Sequence, residues 1–201
     1  MAAGGGPVRV LRFGPGPLGS NVYALEDGGE VLVVDAGGGI VELAEWVRRG
    51  GLEVVGVVLT HGHFDHAAEA GLAEKLLGAR PRLHPDDVLI LRGSWRWAGL
   101  PGDPPEVSAD LAEGVEVRVG SLSVEVMHLP GHTPGSVAFY CPGIAFTGDV
   151  LFRGAVGRTD LPLSDPEAME ASLRRLAELP PDTVVYPGHG PPTTIGRELL
   201  G

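Results

Sequence analysis

The sequence predicts a single α/β domain over residues 1–201. Three observations lead there. Short valine-rich runs alternate with segments of helical period. Glycine and proline, 32 and 18 residues, fall at the edges of those runs, where tight turns need them. A chain of 201 residues is long enough to bury one real core without dividing.

The elements follow in order. Alternating apolar residues at Val8–Phe13, Asn21–Glu26 and Glu30–Val34 predict three strands, the last two joined as a hairpin at Asp27-Gly28-Gly29. After "DAGGG", Ile40, Leu43, Ala44 and Val47 recur at i, i+3, i+4 and i+7, the buried face of a helix. "GLEVVGVVLT" reads as a fully buried strand. A second helix is expected over 67–77, ended by Gly78, then a short strand at Arg82-Leu83 and a short helix from Pro85 to Leu91. Residues 92–108 show no period and read as a long loop, with Trp95 and Trp97 as candidates for a pocket mouth. Strands are expected at Val115–Val119, Leu122–Met127, Ser136–Tyr140 and Ile144–Phe146. "SDPEAMEASLRRLAEL" is a helix: Ser164 and Glu167 fit a capping box, Pro166 suits the first turn, and Met169, Leu173 and Leu176 face inward. A last strand, Thr183–Tyr186, delivers "PGHG".

Composition excludes several function classes. A net charge of −11 argues against a broad nucleic-acid or anionic-membrane surface. The lone cysteine, Cys141, rules out an internal disulfide and a thiolate zinc finger, and reads as a small packed residue. The N-terminal "MAAGGGPVRV" has no signal-like apolar segment, and no run approaches the ~18 apolar residues of a membrane span. A cytoplasmic location is the expectation.

The histidines carry the chemistry. Of seven, three fall in "THGHFDH", where a predicted strand gives out. His132 in "LPGHTPGS", Asp149 in "FTGDV" and His189 in "YPGHG" also sit at strand ends beside glycine. Sequence-distant strand ends can converge on one edge of a sheet. His61, His63, Asp65, His66, His132, Asp149 and His189 together offer five imidazoles and two carboxylates. With no thiolate, that set suits catalytic zinc, iron or manganese rather than a structural zinc. It exceeds what one tetrahedral ion can use and fits two ions sharing a bridging carboxylate. The His-x-His spacing lets both imidazoles turn toward one ion from an irregular loop, while Asp65 and His66 reach a second. His84 is left unassigned; His128, four residues before His132, is a candidate for orienting a ligand from behind.

These ordered motifs resemble those of the metallo-β-lactamase superfamily, over nearly the whole chain. The resemblance implies a four-layer αββα sandwich with two divalent ions, most simply zinc, at one edge. It implies that His61, His63 and His132 hold the first ion, that Asp65, His66 and His189 hold the second, and that Asp149 bridges. Asp35, in "VVDAGGG", would support the ligand loops from behind. "GDVLFRGAVGRTDLP" is most similar to the glyoxalase II group of hydroxyacyl-thiol hydrolases, especially its short members. Larger glyoxalase II enzymes carry a C-terminal helical domain that contacts glutathione; this sequence ends at Gly201, soon after His189, with no counterpart.

The implied reaction is hydrolysis of a small-molecule thioester by a metal-bridging hydroxide, with Asp65 as metal ligand and orienting carboxylate. Arg153 and Arg158 are candidates for a substrate carboxylate, although Arg158 also stands near Asp160 as an ion-pair partner. Two other readings use the same residues. A persulfide dioxygenase would hold one iron on His61, His132 and Asp149. A non-catalytic metal-stabilised binding protein would keep the donors without turnover. The oligomeric state is left open.

Overall fold

Alternation along the strands decides the architecture. The computed structural model describes residues 7–201; residues 1–6, the start of the segment read for a targeting signal, lie outside them. In chain order the elements are β1 (Arg9–Phe13), β2 (Val22–Asp27), β3 (Glu30–Val34), α1 (Ile40–Gly50), β4 (Glu53–Val58), α2 (Phe64–Ala67), α3 (Ala70–Leu77), β5 (Pro81–Leu83), α4 (Val88–Trp97) and β6 (Ser108–Ala109). Then come β7 (Glu116–Val119), β8 (Leu122–His128), β9 (Val137–Cys141), β10 (Ile144–Gly148), β11 (Leu151–Phe152), β12 (Ala155–Val156), α5 (Pro166–Leu176), β13 (Val184–Pro187), β14 (Thr193–Thr194) and α6 (Ile195–Leu199).

Two six-stranded sheets result, in the orders β1-β2-β3-β4-β5-β6 and β14-β13-β10-β9-β8-β7. The first is antiparallel through β3 and parallel from β3 to β6; the second is antiparallel except where β10 lies parallel to β13. Successive side chains of a strand point to opposite faces. Val31 and Val33 therefore pack under α1 and α3, while Leu32 and Val34 enter the layer between the sheets. On the second sheet Val137 and Phe139 face that inner layer and Ala138 faces α5. Three apolar layers between four of structure make the αββα sandwich. Cys141 is buried in the middle layer, as its packed reading expects, and burial pushes its thiol up to about 11.

Most boundaries differ from expectation by a residue or so, and three differences have physical causes. The helix expected over 67–77 forms only from Ala70 to Leu77, as α3, and is preceded by a separate short helix, α2. The chain bends at Glu69, whose main-chain N–H donates to the Ala36 carbonyl and whose carboxylate accepts the first N–H of α1. The helix expected from Pro85 to Leu91 is a 3-10 turn followed by α4, which runs on to Trp97, so the long loop is shorter than predicted. Trp95 packs against the outer core, whereas Trp97 is largely exposed, near Phe64. The cap of α5 is Asp165, whose Oδ1 accepts from the N–H groups of Glu167 and Ala168; Ser164 does something else. Among the described residues no helix is long and apolar enough to cross a membrane.

Candidate metal centre

The ligand loops leave the same edge of both sheets. β3 ends at Val34, and the next residue, Asp35, turns into the left-handed region (φ 61) and places its carboxylate, in a residue 1% exposed, beneath the loop that follows β4. There it accepts from the Thr60 N–H (2.7 Å), from the Thr60 hydroxyl and from His66 Nδ1 (2.8 Å). Asp35 thus supports the loop from behind, as expected for it.

These contacts set the tautomers. A carboxylate only accepts, so His66 donates from Nδ1 and turns Nε2 inward. His132 Nδ1 lies 2.9 Å from the Arg158 carbonyl, also only an acceptor, and its Nε2 is turned inward in the same way. The Thr60 hydroxyl spends its proton on Asp35, so His61 Nδ1 donates to it (3.1 Å) and leaves Nε2 buried with no hydrogen-bond partner. Asp149 Oδ1 is likewise buried without a hydrogen-bond partner.

All seven predicted donors are brought together. His61, His63 and His132 converge as one set; Asp65, His66 and His189 as another; Asp149 joins His61 and His66 in a third that overlaps both. His63 Nδ1 is 3.0 Å from His132 Nε2, His66 Nε2 is 3.3 Å from His189 Nε2, and His189 Nε2 is 3.2 Å from Asp65 Oδ2. Asp149 spans the sets, with Oδ1 at 3.3 Å from His66 Nε2 and Oδ2 at 3.5 Å from His132 Nε2. Ligands about 2.1 Å from a tetrahedral ion stand about 3.4 Å from one another, so these separations fit shared cations. Asp65 and His66 lie on the helical turn α2, just past the loop that carries His61 and His63.

Electrostatics agree. Burial, then the neighbouring imidazoles, hold His61 well below the ordinary histidine range, a neutral donor. Burial and His132 bring His63 down to about 4. Burial alone would raise Asp149, but His66, His132 and His189 outweigh it and bring the carboxyl down to about 2. Burial disfavours a charged His66, yet Asp149 and Asp35 on either side raise it well above the usual value. A proton there answers a demand for positive charge that a dication can meet.

Two expected residues land elsewhere. His128 Nε2 donates to the Pro134 carbonyl (2.8 Å), and its ring stacks on His84 at 4.2 Å and 11°. It steadies the loop that carries His132 instead of orienting a ligand directly. Those two rings and Asp86 also form a compact donor group, but nearly parallel rings aim their nitrogens alongside one another, not at a common point. The guanidinium of Arg158 is held by Asp160 at 2.8 and 3.0 Å, and Arg153 is exposed.

Other supports went unread in the sequence. The Ser20 hydroxyl donates to the Asp65 carbonyl (2.6 Å) and that of Ser164 to the His132 carbonyl (2.8 Å). The Asn21 side chain donates to the carbonyls of Pro187 and Gly190, clamping the turn that carries His189. Isolated serines and asparagines in glycine-rich turns carry no signal that separates them from ordinary loop residues.

Known proteins resemble this chain in sequence and fold. The family model described as the metallo-beta-lactamase superfamily matches residues 15–189. A relative from Haemophilus influenzae, named hydroxyacylglutathione hydrolase GloC, is 34% identical over 182 residues, covering 86% of each chain. The crystal structure of BLEG-1 B3 metallo-beta-lactamase superposes with a TM-score of 0.84 at 33% identity, covering 96% of this chain and 97% of that one. TTHA1623 in a di-iron-bound form gives a TM-score of 0.81 at 42% identity, covering 94% and 96%.

Proposed function

Because the chain belongs to the metallo-beta-lactamase superfamily, we propose that it is a two-metal hydrolase of small hydroxyacyl thioesters. The observation that carries the reading is Asp149 standing between two three-residue donor sets, one oxygen toward His66 and the other toward His132. His61, His63 and His132 would hold one ion, and Asp65, His66 and His189 the other. Zinc and iron both suit such donors, and a solved relative at 42% identity is described as di-iron-bound. A bound pair supplies Lewis acidity and brings the pKa of a water down from ~15.7 toward ~7.

The protein's own groups do the rest. Asp65, 6% exposed and facing His189, would hold an ion and orient the nucleophile's proton. The Asp35–Thr60–His66 network keeps the donors in place, so little reorganisation accompanies reaction. All seven groups of the cluster belong to the donor sets, and none stands apart as a dedicated acid for an amine leaving group. A thiolate, with a conjugate-acid pKa near ~8.5, leaves without that help. That chemistry favours a thioester over an amide or a lactam, and the relative named as a hydroxyacylglutathione hydrolase points the same way. Arg153, exposed just past Asp149, is the candidate for a substrate carboxylate, since Arg158 is engaged by Asp160.

The test is hydrolysis of S-D-lactoylglutathione by zinc- and iron-reconstituted protein. We expect turnover that falls at least ~100-fold in Asp65→Ala and in His132→Ala. Full activity in both variants overturns the assignment. Oxygen uptake on glutathione persulfide with a single iron and no thioester cleavage selects the dioxygenase reading. Metal binding without turnover on either substrate selects the binding-protein reading.

A further inference from the structure

Asp87 is a fully buried carboxylate that the chemistry above does not use. It stands at the N-cap of α4, where an aspartate ordinarily accepts from the first turn of its own helix. Here it makes no such bond. Its oxygens turn instead to two ligand loops: Oδ2 accepts from the Gly62 N–H (2.6 Å) and the Thr133 hydroxyl (2.7 Å), and Oδ1 from the Gly135 N–H (2.6 Å). Gly62 lies between His61 and His63. Thr133 and Gly135 follow His132. One carboxylate thus joins the two chain segments that bring the three-histidine set together.

The backbone is cut to fit. A Cβ on Gly62 would stand 2.5 Å from the Asp87 carbonyl oxygen, and one on Gly135 2.8 Å from Asp87 Oδ1. Both loops therefore close on Asp87 through residues without side chains. All three donors are neutral, two main-chain N–H groups and a hydroxyl. Neither guanidinium nor ammonium is among Asp87's hydrogen-bond partners, and burial raises its carboxyl above the usual range although the bonds from Thr133, Gly62 and Gly135 favour the ionised form. Burial without such a partner is costly for a carboxylate, so a cation nearby gains from it.

We propose that Asp87 is the positioning residue of the three-histidine site: it fixes the spacing of the His61–His63 and His132 loops and supplies a buried negative charge that favours a dication there. The inference rests on the metal centre proposed above. It separates two properties that a purely structural residue would not: affinity at the three-histidine set falls, and affinity at the Asp65–His66–His189 set is kept.

The experiment is zinc titration of the full chain against a chromophoric chelator, with nitrogen NMR of the imidazoles showing which histidines each zinc meets. Asp87→Asn retains the volume but removes the charge and turns an N–H toward a donor. We expect zinc to be lost from His61, His63 and His132 at concentrations ~10- to 100-fold higher than in the wild type, with less than ~3-fold change at His66 and His189. Thr133→Val, which removes one of the three bonds and keeps the carboxylate, is expected to show a weaker shift at the same three histidines, and it decides the matter if Asp87→Asn does not fold. Unchanged affinity at that set in the folded variants, or equal weakening of both sets, overturns the role of Asp87 while leaving the metal centre standing. A wild-type chain that takes up no zinc overturns the centre itself, and this inference with it.

Discussion

His66 carries carboxylates on both ring nitrogens, Asp35 at Nδ1 and Asp149 at Nε2, and is itself fully buried. Such a histidine is held in one orientation, and its neighbours must leave it room. Gly188 is the neighbour that decides this. A Cβ there would collide with Asp149 Oδ1 and stand 2.7 Å from His66 Cε1. Gly188→Ala must therefore displace the bridging carboxylate or the histidine, and overpacking of this kind costs about 1–3 kcal/mol. We expect the variant to fold, to melt below the wild type, and to hold about one metal per chain at concentrations where the wild type holds two. Elemental analysis after gel filtration reads the difference. Two metals retained at wild-type affinity would mean that Asp149 is not shared between the donor sets.

At the scale of elements, the approach to α5 separates stability from the site. Asp165 satisfies the N–H groups of Glu167 and Ala168, while Ser164, one residue earlier, donates to the carbonyl of His132. Asp165→Ala should lower stability by about 1 kcal/mol, the ordinary loss of a helix cap, with metal binding at His132 kept. Ser164→Ala should leave the melting of the metal-free chain nearly unchanged and weaken metal binding at His132. Calorimetry of the metal-free protein and chelator competition measure the two effects; the reverse pattern would return the cap to Ser164. The capping-box pattern misled because serine and aspartate are both good caps, and only the tertiary position of the His132 loop decides which is free to act as one. The break between α2 and α3 was hidden for a similar reason. Residues 67–77 have a helical composition, and the bend at Glu69 comes from Ala36 and α1, far away in the sequence. Strand alternation was legible because period two is imposed locally by the pleat.

At the scale of the molecule, the donors belong to both sheets: His61, His63, Asp65 and His66 follow β4 of the first, whereas His132, Asp149 and His189 follow β8, β10 and β13 of the second. All seven could be read from the sequence, because three imidazoles and a carboxylate packed into one strand exit have no use in ordinary packing. Asp87, Ser20 and Ser164 could not, since each acts through contacts between loops distant along the chain. The same division governs stability. The three apolar layers involve none of the donors, so the fold should survive removal of the ions. The seam at the sheet edges should not keep its full strength. Ligands that bind only the folded state stabilise it by mass action, about 4 kcal/mol at a thousandfold excess over Kd, or about 8–16 °C in Tm for a chain of this size. Exhaustive chelation is therefore expected to lower Tm by about that amount with the far-ultraviolet circular dichroism unchanged, and to speed amide exchange at residues 60–66, 131–136 and 188–189 ahead of the strands. Calorimetry with and without chelator, followed by exchange mass spectrometry, tests both parts. An identical Tm in the two states would show that no ion ties the sheets together, and uniform loss of protection would place the metal's contribution in the core rather than at the edge.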